Sequence, residues 1–103
     1  MDKAKQYIGF AAKAGRVACG AEEVESSIRS RKAKLVVVDC AGSPNAKKKY
    51  MDTCLTYGIP FYMIDDPCSM AGRPGRICLA VCDAKLAKMI EKEMLRENSG
   101  GKG

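Results

Sequence analysis

A chain of 103 residues has room for one ordinary domain and excludes two, and a core of this size closes without disulfides or metals. Its composition, 47% hydrophobic and 29% charged, is that of a globular chain, and no run of about 18 apolar residues offers a membrane span. Eighteen Lys and Arg against 12 Asp and Glu give a net charge of +6, which favours polyanionic partners such as nucleic acid.

Residues 3–14 read as a first helix, rich in Ala and Lys, with Tyr7, Ile8, Phe10, Ala11 and Ala14 apolar and Gly15 as its C-terminal stop. The polar start Met1–Lys5 and the short apolar stretch Tyr7–Ala12 do not make a secretion signal, so a cytoplasmic location is expected. Arg16–Cys19 is a short extended segment. Gly20–Lys32 carries Ala21, Val24 and Ile28 at helical spacing and predicts a second helix. Lys34–Asp39 holds four apolar residues in a row, three of them β-branched, and predicts a strand buried on both faces. Ser43 and Pro44 supply an N-cap and a first-turn proline for a third helix that ends at Gly58.

Ile59–Ile64 predicts a further strand, with Pro60 at its beginning, where a missing donor is tolerated. Asp65–Gly75 is turn-rich and has room for one helical turn. Ile77–Cys82 predicts another buried strand, and Asp83 caps a last helix with Leu86, Met89, Ile90 and Met94 in period. The domain is expected over 1–96, with 97–103 a disordered tail. Strands alternating with helices imply an α/β fold, a three-layer α/β/α sandwich.

Little here supports catalysis. The chain has no histidine, and its glycines form neither a dinucleotide-binding nor a phosphate-loop pattern. Gly72-Arg73-Pro74-Gly75-Arg76 precedes a strand, not a helix. Asp65-Asp66 reads as a solvated turn. Six cysteines without any Cys-x-x-Cys pair read as reduced small hydrophobes, Cys19 beside Arg16 included, so no metal and no cofactor is expected. The basic clusters say more. Arg29, Arg31, Lys32 and Lys34 close the second helix, where cations suit the helix dipole. Lys47, Lys48 and Lys49 stand near the positive end of the third helix, where charge repels, and that placement hints at use.

The run Ile8-Gly9-Phe10-Ala11-Ala12-Lys13-Ala14-Gly15-Arg16-Val17, followed by Cys19-Gly20-Ala21-Glu22-Glu23-Val24, resembles the bacterial YlxQ-like branch of the ribosomal L-seven-Ae-type superfamily of kink-turn RNA binders. The resemblance continues through Ala33–Val38, Ser43–Lys48 and Cys54…Gly58-Ile59-Pro60-Phe61, and ends near Ile90. It implies a three-layer α/β/α sandwich with a four-stranded mixed sheet, in which Arg16–Cys19 is the extra strand. It also implies a non-catalytic, ribosome-associated protein that binds structured RNA, kink-turn or ribosomal, and acts as a monomer.

The resemblance further implies a face built from two loops. The first holds Gly20, Ala21, Glu22 and Glu23, with Ser26, Ser27 and Arg29 beyond it; Glu22 stands where the family has asparagine and Ser26 where it has lysine. The second is the turn from Ile64 through Asp65 and Asp66 to Gly75, acidic where the family is small or apolar. Lys47 and Lys48 would add sequence-independent attraction to phosphate. Because Glu22, Glu25, Asp65 and Asp66 repel phosphate, the second reading is a diverged protein-interaction module on the same fold, without RNA affinity.

Overall fold

The computed structural model describes the backbone of residues 2–102 and the side chains of 3–96. The elements, in order, are α1 (Asp2–Lys13), β1 (Val17–Cys19), α2 (Ala21–Arg29), β2 (Leu35–Asp39), α3 (Pro44–Tyr57), β3 (Phe61–Ile64), a 3-10 turn (Pro67–Ala71), β4 (Cys78–Val81) and α4 (Ala84–Lys102). The tail expected over 97–103 lies beyond the described side chains, where the backbone of α4 continues to Lys102. Among the described residues no helix is long and apolar enough to cross a membrane.

The strands form one mixed sheet in the order β1-β4-β2-β3. β4 runs antiparallel to both β1 and β2, whereas β2 and β3 are parallel. Period-two alternation divides the side chains between two faces. Leu35, Val37, Leu79 and Val81 meet Ala4, Ile8 and Ala11 of α1 and Ala87, Ile90 and Met94 of α4. Val36, Val38, Cys78 and Ala80 meet Val24 and Ile28 of α2 and Tyr50 and Cys54 of α3. Strands covered on both sides need apolar residues at every position, which is why β2 and β4 read as unbroken apolar runs. The four-stranded mixed sheet and the three layers are those the resemblance implies.

Local chemistry sets the helix ends. The Ser43 hydroxyl accepts from the Ala46 N–H at 3.2 Å to start α3, and Gly58 closes that helix in the left-handed region (φ 69°). The Asp83 carboxylate accepts from the Leu86 N–H at 3.0 Å to start α4. The second helix is shorter than its sequence pattern suggests: Gly20 is its cap and it stops at Arg29. Arg31 turns left-handed (φ 63°), its N–H reaches the Ile28 carbonyl at 3.1 Å, and the Lys32 N–H reaches the Ser27 carbonyl at 2.9 Å. This is the Schellman arrangement with an arginine where glycine usually stands.

Candidate nucleic-acid interface

The topology collects three connections, β1 to α2, β2 to α3 and β3 to β4, at one end of the sheet. β1, β2 and β3 finish there and β4 begins there, because β4 alone runs the other way. The Gly20 N–H donates to the Cys78 carbonyl at 3.0 Å, Asp39 N–H to Ile77 at 2.7 Å, and Cys40 N–H to Ile64 at 3.2 Å. α2 and α3 both start from this end with their partial positive charge outward; the first-turn N–H groups of α2 have no side-chain cap, whereas in α3 Pro44 has no N–H and Ser43 takes that of Ala46.

Gly20 carries the sharpest constraint. Its φ of 92° and ψ of 161° lie in a region essentially reserved for glycine. A Cβ built there would lie 3.1 Å from Nη1 of Arg76, so the Arg76 guanidinium rests against bare backbone. Glu23, third residue of α2, holds the two loops together. One of its oxygens accepts from the Cys19 N–H at 3.2 Å, and the other pairs with Nη1 of Arg73 at 3.2 Å. The Cys19 amide first, and Arg73 after it, hold the Glu23 carboxyl below its ordinary value. The carboxylate reaching back to an amide just ahead of its own helix is a variant of the capping box.

Glu25 is answered by cations from two helices, Nζ of Lys49 at 2.8 Å and Nη2 of Arg29 at 3.2 Å. The hydrogen bond from Lys49 is the main cause that lowers its pKa. Of the acids expected to repel phosphate, Glu25 alone is thus paired among the described residues, as is its neighbour Glu23, at exposed or half-exposed positions where the energy of each pair is small.

The other expected site residues fall around this centre. Ala21 and Glu22 stand exposed in the first turn of α2, Ser26 is exposed one turn on, and the Ser27 carbonyl is used in closing the helix. Ile64 is buried, Asp65 is exposed, and Asp66 adopts a left-handed φ of 49° that starts the 3-10 turn. Gly75 has a φ of 92° with open space around it. Lys47 and Lys48 sit at the same end, yet they line a groove towards β3, while Lys49 alone of the three turns to α2.

Arg73 and Arg76, in the glycine run ahead of β4, are not among the residues the sequence points to as an interface. Their approach to α2 depends on the pairing of β1 with β4, which no local pattern announces. Of the six free cysteines, four are buried, Cys19 among them. Burial, followed by the nearby Cys19, pushes the Cys68 thiol up to about 12, and burial pushes Cys54 up to about 11, so both act as core side chains. Among the described residues no cluster of His, Cys, Asp or Glu could hold a metal ion.

A profile of the Ribosomal protein L7Ae/L30e/S12e/Gadd45 family matches residues 2–93. The chain is 34% identical over 93 residues to an RNA-binding protein YlxQ of Enterococcus faecium, covering 87% of this chain and 89% of that one. It is 30% identical over 86 residues to an RNA-binding protein YlxQ of Bacillus subtilis (strain 168), covering 81% and 86%. Two solved structures share the fold. A protein of unknown function from Bacillus halodurans C superposes with a TM-score of 0.83 at 24% identity, over 89% of this chain and 96% of that one. The Giardia lamblia 15.5kD RNA binding protein gives a TM-score of 0.71 at 17% identity, over 85% and 82%. The chain belongs to the Ribosomal protein L7Ae/L30e/S12e/Gadd45 family, on its bacterial YlxQ-like branch.

Proposed function

We propose that this chain is a non-catalytic, ribosome-associated RNA-binding protein that takes structured RNA, of the kink-turn type, on the loop end of its sheet. The observation that carries the reading is Arg76 lying against the bare backbone of Gly20 at the start of α2. It puts a guanidinium, a helix N-terminus and a place for close backbone approach side by side. Two relatives named as RNA-binding proteins support the same reading. Arg73 and Lys49 are shared with Glu23 and Glu25, so the attraction rests on Arg76, the amides of Ala21 and Glu22, and the lysines of α3. Glu22, Asp65 and Asp66 make no ion pair among the described residues. They would act as selectors, admitting only an RNA whose phosphates bypass them.

The test compares a kink-turn RNA with a mismatched duplex at several salt concentrations. Tighter binding of the kink-turn, with a salt slope that reports several released counterions, is expected. Equal and weak binding of both removes the kink-turn reading. No RNA affinity at physiological salt, with a protein partner whose binding fails in Asp65→Lys, would favour the protein-interaction module instead.

A further inference from the structure

We propose that the open edge of β3 takes up an extended segment of a partner protein, one in which apolar residues are bordered by aspartate or glutamate. β3 is the last strand of the sheet, bonded to β2 on one side only. The Val36 N–H donates to the Pro60 carbonyl at 3.0 Å and the Cys40 N–H to the Ile64 carbonyl at 3.2 Å. By the alternation of a parallel ladder, residues 60, 62 and 64 turn to β2, and the N–H and C=O of Phe61 and Met63 face outward. A strand laid along this edge finds ready donors and acceptors.

The side chains beside that edge are apolar. Pro44, Met51, Phe61 and Met63, with Lys47 and Lys48, line a groove of about 360 Å³ between α3 and β3. Met51 is 42% exposed, Met63 46% and Leu55 74%. Leu55 lies one turn beyond Met51 on α3, so the helix carries the apolar stripe onward. An added strand would send alternate side chains into this groove, pairing backbone recognition with apolar contact.

Charge selects the occupant. The groove has two lysines and no carboxylate in its lining, and neither lysine enters an ion pair among the described residues. A second copy of this chain, pairing β3 with β3 about a two-fold axis, would bring lysines against lysines. Lysines beside an open edge oppose self-pairing of that kind, and the same lysines favour a strand with acidic ends.

The probe is a short synthetic peptide that alternates valine and threonine between glutamate ends, with a twin carrying lysine ends, added to the full chain. On the glutamate peptide, the amide signals of Phe61 and Met63 should shift and gain protection from hydrogen exchange. The lysine twin should bind about tenfold more weakly, and the double variant Lys47→Glu, Lys48→Glu should reverse the preference. Met63→Glu, at an exposed position, should weaken the glutamate peptide by itself. The proposal is overturned if the two peptides bind wild-type chain equally, or if the Phe61 and Met63 amides do not respond. It is overturned equally if those amides are protected by RNA, or by raising the protein concentration, and not by the peptide.

Discussion

Each end of α2 is set by a residue of positive φ, and the two residues are opposites. At the start stands Gly20 (φ 92°), with no side chain and Arg76 lying over it. Past the other end stands Arg31 (φ 63°), with its guanidinium carbon 5.7 Å from the centre of the Tyr57 ring. The left-handed helical region that Arg31 occupies costs a side-chain-bearing residue only about 1 kcal/mol, while the Gly20 conformation is all but closed to other residues. The loop end is defined by what is missing, a Cβ, whereas the far end keeps a long cation against an aromatic ring in spite of strain.

The largest effect is expected from Gly20→Val, which should destabilise the chain by about 1–3 kcal/mol through backbone strain, read as a shift of the urea midpoint. An unchanged midpoint would show that the loop end does not depend on glycine, and the contrast would collapse. Next comes a paired measurement on RNA affinity. Arg76→Ala should lose on the order of tenfold and lower the salt slope by about 1, while Arg31→Ala leaves affinity as it is. Equal losses at the two sites would spread RNA contact over the whole of α2.

Arg31→Gly sharpens the comparison from the other side. Relief of the left-handed strain, less the lost contact with Tyr57, should stabilise the chain by about 0.5 kcal/mol in thermal melts.

The smallest effect is in pH. Glu23 and Glu25 are both held below the ordinary value of 4.5 in the folded chain. Their contribution is therefore complete above 4.5 and fades as pH falls through the lower folded values. Melts of wild type and Glu23→Gln should differ at neutral pH and converge as the solution is acidified below 4.5.

Most of the architecture could be read from local pattern. β2 and β4 announced themselves as β-branched or apolar runs, and α3 by Ser43, Pro44 and Gly58 at its ends. These signals act over a few residues, so they survive without knowledge of the fold. Gly20 reads in the sequence as the first residue of a helix, and the structure makes it the cap. What was hidden is long-range. Glu23 finds its counter-charge in an arginine fifty positions away, and Glu25 in a lysine from another helix. Along the chain, acids stand in both loops where they would repel phosphate. Folding pairs Glu23 and Glu25 in the first loop, while Glu22 there and Asp65 and Asp66 in the second make no ion pair among the described residues.

β1 has only three residues and pairs with nothing but β4, Val17 opposite Val81 and Cys19 opposite Leu79. Those partners come from opposite ends of the chain. On a ribosome that releases the chain from its N-terminus, Gly20 emerges early but has no fixed place until β4 follows, because its own amide is held by the Cys78 carbonyl. The Arg76 that covers it arrives at the same moment. The surface proposed to take RNA is therefore a late product of folding, withheld until nearly the whole domain has been made.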